Sequence, residues 1–274
     1  MTPRVRARKS LGQHWLTDGR YLSRIAAAAD FTDADTVLEV GAGTGLLTER
    51  LATRASRLVA VEVDSRLAAA LRERFAGKPK VRIFEANVLE AEVDAILSAG
   101  DGGLPYVVVG NLPYFIGTAI IRKFIRDRVR PRWVIATLQA EVAANMAAQP
   151  GHMSYLSVET QVFAEAQVLF RIPPRAFTPA PKVDSAVIRL DVHDGPGVEV
   201  DDMDSFLALA RAGFAAPRKR LRNSLAIGLR VDPSEADAMI GRAGLDPGRR
   251  PAELSLPDWR ALYFALRART AEAG

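Results

Sequence analysis

Short apolar runs alternate with segments of helical periodicity from about residue 20 to residue 165, and this alternation constrains the fold strongly. The runs are rich in Val, Ile and Leu and cover residues 36–40, 58–63, 80–85, 106–109 and 133–138. Helices are predicted between them near 46–54, 65–76, 90–99, 117–128 and 139–148, each long enough for a crossover connection. The pattern predicts βαβ units around a parallel sheet, and therefore a doubly wound α/β domain.

The chain changes character after this region. One more helix is expected over 154–164, and four prolines within 171–182 predict an ordered loop, because neither a helix nor a central strand tolerates them. An alternating run at 183–190 is expected to return to the sheet as an antiparallel partner of a strand at 165–172. Beyond the turn-rich break at 194–197 the periodicity is helical only. We therefore predict an α/β domain over 1–194 and a small all-helical domain over 195–274.

The composition excludes several classes of protein. The 274 residues include no cysteine, which rules out disulfides, thiolate zinc sites, iron–sulfur clusters and cysteine nucleophiles. The three histidines, at positions 14, 152 and 193, are too scattered for a helix-borne metal pair, so we expect no metal. There is no run of about 18 apolar residues and no secretory signal segment, so we expect no membrane association. A cytoplasmic, globular monomer is the expectation.

Basic residues are concentrated in three windows, 1–24, 117–132 and 211–230. Each window holds six lysines or arginines. Together the windows contain 18 of the 37 basic residues but only 2 of the 32 acidic residues. A solvated helix face explains any one window, whereas three windows near the motifs described next favour a nucleic-acid surface. An anionic membrane surface fits less well, because no basic segment carries a broad face of Trp, Phe and Leu.

The first predicted strand runs into a glycine-rich turn, Gly41-Ala42-Gly43-Thr44-Gly45, which lets a ligand approach the backbone closely. The dinucleotide fingerprint needs glycine or alanine where this chain has Leu46, so the fit to a nicotinamide dinucleotide is poor. Glu39 would repel a pyrophosphate but attract a cationic ligand, and S-adenosylmethionine is such a ligand. Glu62 ends the second strand, where an acid can accept hydrogen bonds from both ribose hydroxyls.

The most specific motif is Asn111-Leu112-Pro113-Tyr114, at the end of the fourth apolar strand. In an open parallel sheet, ligands bind outside the carboxyl ends of the strands. Pro113 favours an extended Leu112, which can direct the Leu112 carbonyl outward beside the side-chain oxygen of Asn111. Two acceptors and the flat ring of Tyr114 fit a planar exocyclic amine. A structural asparagine–proline turn is the alternative interpretation.

With these motifs the sequence resembles the ribosomal RNA adenine N6-dimethyltransferases, and most closely the bacterial enzymes of the small-subunit (16S) RNA. The resemblance runs nearly end to end. It rests on five segments in the family's order, which are Leu11–Leu16, Gly41–Gly45, Asn111–Tyr114, Phe177–Val187 and Arg218–Leu225. It implies a Rossmann-like sheet of an S-adenosylmethionine-dependent methyltransferase with a small C-terminal all-helical domain.

The resemblance also implies roles for individual residues. The basic segment 1–24 would close over the methyl donor, whose contacts would be His14, Leu16, Gly41, Gly43, Glu62 (at the ribose), Asn87 (at the adenine edge) and Asn111. The target adenine would be bound by Asn111, Leu112, Pro113 and Tyr114, with Phe177 stacking on its other face. RNA would be contacted by Arg218, Lys219, Arg220 and Arg222.

Four positions depart from the family pattern. Asn87 stands where aspartate is usual, so it can accept a hydrogen bond from the methyl donor but without a charge. Gly117 replaces a small hydroxyl residue, and Ala216-Pro217 replaces a Gln-Arg pair, which removes one cation from the RNA surface. The segment 151–156 is shorter than usual.

The resemblance predicts transfer of methyl groups to N6 of two adjacent adenosines in a hairpin loop near the 3′ end of 16S rRNA, within the small ribosomal subunit. One alternative is the large-subunit (23S) enzyme that confers macrolide resistance. It shares the core motifs, but the long C-terminal domain with Arg218–Leu225 favours the small-subunit enzyme. A non-catalytic rRNA-binding assembly factor is the second alternative, which Asn87 keeps open.

Overall fold

The computed structural model describes residues 13–99 and 101–272, so residues 1–12 of the predicted basic segment lie outside the described residues. The chain divides into two compact units. One unit extends to Ala143 and resumes over Ala166–Val192, and the other comprises Ala144–Glu165 and the chain from His193 onward. Within the described ranges, no helix is both long and apolar enough to cross a membrane.

The first unit is built on a seven-stranded sheet. The strands of the described residues are β1 (Trp15–Leu16), β2 (Thr36–Val40), β3 (Arg57–Glu62), β4 (Val81–Glu85), β5 (Tyr106–Asn111), β6 (Trp133–Gln139), β7 (Ala164–Ile172), β8 (Phe177–Thr178) and β9 (Ser185–Val192). The sheet order is β4-β3-β2-β5-β6-β9-β7, in which β2 to β6 pair in parallel and β9 is antiparallel to β6. Strands β1 and β8 form a separate antiparallel pair.

Helices precede, connect and follow the parallel strands. They are α1 (Gly19–Ala28), α2 (Leu46–Leu51), α3 (Ser65–Phe75), α4 (Val93–Ala99), α5 (Gly117–Arg126) and α6 (Ala140–Met146). Asp18 and Asp64 cap α1 and α3, because each carboxylate accepts a hydrogen bond from a backbone N–H of the first turn. The central strands are buried and mainly apolar, as in β5, where Val107, Val108 and Val109 are shielded from solvent. Continuous apolar strands of this kind are typical of a sheet covered on both faces.

The second unit is helical apart from the start of β7. Its helices are α7 (Tyr155–Gln161), α8 (Met203–Gly213), α9 (Leu221–Leu229), α10 (Pro233–Arg242) and α11 (Leu256–Glu272). Asp202 and Asp232 cap α8 and α10. Phe206, Trp259 and Tyr263 form the buried aromatic centre of this unit, with the rings of Phe206 and Tyr263 meeting edge to face.

The α/β fold with a C-terminal helical part is confirmed, and the five predicted parallel strands lie within two residues of their observed bounds. Two local expectations differ from the structure. The helix expected over 154–164 ends at Gln161, because the following residues enter β7. The proline-rich loop contains a turn of 3-10 helix over Pro174–Ala176 and the strand β8. In addition, residues Ala144–Glu165 cluster with the C-terminal helices.

Candidate active site

The glycine-rich turn and the Asn-Leu-Pro-Tyr motif lie side by side at one edge of the sheet. Strand β2 pairs with β3 on one side and β5 on the other, and Val40 is in register with Gly110. A Cβ atom on Gly41 would lie 3.7 Å from the backbone oxygen of Asn111. This edge between β2 and β5 is the point at which the direction of strand connection reverses, where ligands of doubly wound folds bind.

Glu62 connects the glycine-rich turn to the end of β3. Its carboxylate oxygens accept hydrogen bonds from the backbone N–H of Gly43, at 2.7 Å, and of Asp64, at 3.0 Å. Gly43 has a φ of 55°, a left-handed conformation that favours glycine and turns its N–H toward the carboxylate. The buried Glu62 therefore fixes the glycine-rich turn to the end of β3. The predicted contact of Glu62 with a ribose stays a prediction.

A second carboxylate, Glu39, lies fully buried beneath the same turn. Burial, together with the nearby charge of Glu62, raises the pKa of Glu39 to about 8. Its Oε2 atom has no hydrogen-bond partner among the described residues. Glu39 also lines a small cavity beneath the turn, bounded by Gly41 and Asn111. The carboxyl is therefore mostly protonated at neutral pH, and a cationic ligand bound nearby would favour its charged form.

A larger cavity opens at the carboxyl ends of the strands. Most of the predicted site residues line it, namely His14, Gly41, Gly43, Glu62, Asn87, Asn111, Leu112, Pro113 and Tyr114. The structure thus brings together the residues predicted for the methyl donor and those predicted for the target base.

The side chain of Asn111 is oriented by the backbone of the N-terminal segment. Its Nδ2 atom donates a hydrogen bond to the carbonyl oxygen of His14, at 3.0 Å. The amide nitrogen is thereby occupied, which leaves the carboxamide oxygen to serve as the acceptor at the cavity. Leu112 follows directly, and its N–H donates to the backbone oxygen of Thr137 in the neighbouring strand, at 3.3 Å.

The ring of Tyr114 is held at two points. Its hydroxyl lies 2.5 Å from the hydroxyl of Ser185, in a hydrogen bond that either group can donate. The imidazole of His14 stacks on the ring, with centroids 5.6 Å apart and planes inclined by 19°. His14 Nδ1 in turn lies 2.8 Å from the carbonyl oxygen of Pro179. Burial raises the pKa of Tyr114, so its hydroxyl stays neutral.

Two predicted site residues lie away from the larger cavity. Phe177 is only 3% exposed and is paired in register with Leu16, itself 4% exposed. Both side chains belong to the main hydrophobic core, and neither lines that cavity. Leu16 instead lines the small cavity beside Glu39. The predicted contacts of Phe177 with a base and of Leu16 with the methyl donor stay predictions.

Asn87 lies at the far end of the larger cavity, after β4. Its Oδ1 accepts a hydrogen bond from the backbone N–H of Leu89, at 3.1 Å, and its Nδ2 donates to Glu90, at 2.6 Å. The uncharged side chain is thus fixed from both ends, and Glu90 brings a carboxylate to a place where the family usually has aspartate.

The residues predicted to contact RNA lie in the second unit, around the start of α9. Arg218, Lys219 and Arg220 are exposed, whereas Arg222 is half-buried and forms an ion pair with Asp237 at 3.2 Å. In the window 117–132, Arg128 and Arg132 form ion pairs with Asp94 and Asp35. Some of the basic side chains in these windows are thus paired with acidic side chains of the protein itself rather than left to bind a polyanion.

Several site residues were missed by the sequence analysis. Trp15, Val63, Val88 and Phe115 line the larger cavity, and Ser185 anchors Tyr114. Trp15 and Ser185 lie within segments that carry the resemblance, but nothing in the sequence indicated what they contact. Val63 and Val88 follow the ends of β3 and β4, a position that the rule of ligand binding at strand ends could have indicated.

The residues present fit S-adenosylmethionine. The cavity extends past the glycine turn toward Glu62 and Asn87, whose side-chain oxygens can accept hydrogen bonds from a nucleoside. One oxygen of the buried Glu39 has no hydrogen-bond partner among the described residues. Glycine-rich turns at strand ends allow such close approach of a nucleoside ligand.

Comparisons with known proteins agree with this geometry. Residues 4–256 match the family model described as ribosomal RNA adenine dimethylase. A relative from Dehalococcoides mccartyi, named Ribosomal RNA small subunit methyltransferase A, is 40% identical over 258 residues, covering 94% of this chain and 88% of the relative. A relative of the same name from Moorella thermoacetica is 39% identical over 267 residues, covering 95% and 92%.

Solved structures show the same architecture. The 23S rRNA methyltransferase ErmE superposes with a TM-score of 0.72 at 30% identity, covering 92% of this chain and 99% of that one. A dimethyladenosine transferase from Plasmodium falciparum shares the fold, with a TM-score of 0.79 at 21% identity over 94% and 98% of the chains. Fold and site together define an S-adenosylmethionine-dependent methyltransferase. Within that class, the chain belongs to the ribosomal RNA adenine dimethylase family.

Proposed function

We propose that this protein dimethylates N6 of two adjacent adenosines in a hairpin loop near the 3′ end of 16S rRNA, within the small ribosomal subunit. The observation that carries the proposal is the orientation of Asn111. Because its Nδ2 donates to the His14 carbonyl, its oxygen is left as an acceptor for an exocyclic amine. The adjacent ring of Tyr114 supplies a stacking surface for the base.

The chemistry follows from two acceptors. The N6 lone pair of adenine is delocalised into the ring, so the amine is a poor nucleophile until its hydrogens are drawn out of the plane. Asn111 Oδ1 and the Leu112 carbonyl accept these two hydrogens and favour a pyramidal nitrogen. This nitrogen gains positive charge during attack, so the acceptors stabilise the transition state more than the ground state.

S-adenosylmethionine supplies the electrophilic methyl group when bound. The product amine is acidic enough to lose its proton to water, so the reaction needs no side chain as a general base. Positioning of the base by Tyr114 supplies the remaining acceleration.

The target base must leave its stack to enter such a pocket, so it lies in a loop or is flipped out. Tyr114 and Phe177 would then sandwich the adenine and replace its lost stacking. Since Phe177 is buried against β1, this contact requires β1 or the residues around Pro179 to shift when RNA binds. Arg218, Lys219, Arg220 and Arg222 are proposed to contact phosphates.

The small-subunit RNA is favoured over the large-subunit RNA. The relatives at about 40% identity are named as small-subunit methyltransferases, whereas ErmE, named as a 23S enzyme, is 30% identical. A non-catalytic assembly factor is less well supported, because the acceptor geometry at Asn111 and the open glycine turn are both present.

Methylation of small ribosomal subunits tests the proposal. Small and large subunits from a strain that lacks the two modifications are incubated separately with the purified protein and labelled S-adenosylmethionine, and the modified positions are mapped on each RNA. We expect N6,N6-dimethyladenosine at two adjacent positions of the 16S RNA. Binding of S-adenosylmethionine without transfer would instead favour an assembly factor, and transfer only to 23S RNA would favour the resistance enzyme.

We also propose that the protein is a cytoplasmic monomer. Light scattering would measure the mass of the particle in solution.

A further inference from the structure

Phe115, the residue after Tyr114, presents a large apolar ring to solvent. Its side chain is 62% exposed, and it lines the rim of the cavity that contains Asn111 and Tyr114. The other large hydrophobic side chains exposed among the described residues of this unit, Val63, Leu104 and Val183, are aliphatic. An exposed aromatic ring at the mouth of a binding cavity favours contact with a ligand.

The backbone fixes the position of this ring. The carbonyl oxygen of Pro113 accepts hydrogen bonds from the N–H of Ile116, at 3.2 Å, and of Gly117, at 2.9 Å. Helix α5 then begins at Gly117, where a Cβ atom would meet Leu138 Cδ2 at 2.6 Å. Phe115 is therefore held at the tip of a tight, hydrogen-bonded turn between β5 and α5, so it is preorganised for a partner.

The proposed substrate supplies a partner of suitable chemistry. Because the two target adenosines are adjacent, the neighbour of the adenosine in the pocket carries a base one phosphodiester away. A base next to a flipped-out nucleotide also loses part of its stacking, and an aromatic side chain can replace it whatever the base identity. The side chains of Tyr114 and Phe115 line the same cavity, so one cavity offers two aromatic rings to two consecutive nucleotides.

We propose that Phe115 forms a second base subsite, on which the nucleobase adjacent to the target adenosine stacks. The inference rests on the proposed function, since it requires an RNA substrate at the Asn111 pocket. It makes Phe115 a determinant of RNA affinity rather than of the chemical step, because the ring is not needed to polarise the reacting amine.

The test uses Phe115→Ala, the aromatic replacement Phe115→Trp, and Leu104→Ala as a matched control. Leu104 is 66% exposed in the same unit but does not line the cavity. Each protein is assayed on two kinds of unmethylated small subunit, one with both adenosines and one in which the neighbour of the scored adenosine is uridine, a weaker stacking base.

On subunits with both adenosines, we expect Phe115→Ala to raise KM about fivefold or more with little change in kcat, and Phe115→Trp to restore KM. Leu104→Ala should match the wild type. On subunits with the uridine neighbour, the KM values of the wild type and of Phe115→Ala should differ less. The subsite is refuted if Phe115→Ala leaves KM within twofold of the wild type, or if its effect is the same on both subunits. Failure of the wild type to methylate either subunit would instead overturn the proposed function itself.

Discussion

Tyr114 illustrates how single residues far apart in the sequence determine one binding surface. Ser185, 71 residues away, bonds its hydroxyl, and His14 stacks on its ring. Because the Ser185 side chain is fully buried, this hydrogen bond is shielded from water. The ring that we propose receives the target base is thereby fixed in one orientation before RNA binds.

Removal of the Ser185 hydroxyl should weaken RNA binding. A typical buried hydrogen bond contributes about 1 kcal/mol, so we expect Ser185→Ala to raise KM for small subunits roughly fivefold. The affinity for S-adenosylmethionine, measured by calorimetry, should be unchanged. Tyr114→Phe removes the same bond from the other side, so the double variant should be no worse than either single variant. Additive effects of the two substitutions would contradict a shared role.

Glu39 should make the stability depend on pH. Its pKa of about 8 in the folded protein exceeds the ordinary value of 4.5, so the folded protein keeps a proton that the unfolded chain releases between these values. The free energy of unfolding should therefore decrease as the pH rises through this window, by at most about 1.4 kcal/mol per pH unit from this group. In urea unfolding at pH 5, 6, 7 and 8, the free energy of unfolding should depend less on pH for Glu39→Gln than for the wild type. If the free energy of unfolding varied with pH in the same way in both proteins, Glu39 would titrate normally.

Site residues could be predicted from the sequence where a local pattern positions them, and not where tertiary contacts do. Asn111, Leu112 and Tyr114 could be predicted to line the cavity because they come at the end of a strongly apolar strand. Ser185 and Phe115 could not, since the contacts of Ser185 depend on the pairing of β6 with β9, and the exposure of Phe115 on the tertiary packing around it.

At the scale of secondary-structure elements, the connection from β2 to α2 depends on Gly45. This residue has a φ of 79°, and a Cβ atom there would meet Leu71 Cδ2 at 2.7 Å. The glycine-rich turn before α2 consequently packs directly against α3.

Gly45→Ala should destabilise the protein by about 1 to 3 kcal/mol, because it adds both backbone strain and a steric clash. Gly77→Ala is the control, since a Cβ atom on Gly77 would meet no other atom within 4 Å and its φ is not positive. Urea unfolding should show a lower midpoint for Gly45→Ala only. Equal midpoints for the two variants would show that the turn tolerates a side chain.

The elements also differ in how far sequence predicts them. The buried parallel strands give continuous apolar runs, which few other structures produce, so their bounds were predicted within two residues. The pair formed by β1 and β8 has only two residues in each strand. It could not be predicted, because its stability depends on contacts across more than 150 residues of chain rather than on a local pattern.

At the scale of the whole molecule, charge is divided between folding and RNA binding. The chain carries a net charge of +5, yet Arg128, Arg132 and Arg222 are engaged by carboxylates within the fold. Composition alone cannot separate these roles, because it does not show which acid lies beside which base. The exposed triplet Arg218-Lys219-Arg220 is the part that fits a phosphate surface.

Neutralising Arg218 and Lys219 together should weaken RNA binding and flatten its dependence on salt. For every phosphate that the variant no longer neutralises, the slope of log K against log salt should become shallower by about 0.7 to 0.9. Filter binding of small subunits between 50 and 300 mM salt, roughly the range over which such interactions are screened, measures this slope. Arg242→Ala, an exposed arginine of the same unit, is the control. An unchanged slope in the double variant would exclude phosphate binding at these residues.

The central claim is that a neutral amide oxygen and a backbone oxygen draw the hydrogens of adenine N6 toward them. Single-turnover methyl transfer by Asn111→Ala tests it most directly, with RNA and S-adenosylmethionine both saturating. We predict that transfer falls by at least about a hundredfold, as for the loss of one preorganised group at a transition state, while RNA binding persists. A transfer rate within a few fold of the wild type would contradict the assignment of Asn111 and the mechanism built on it.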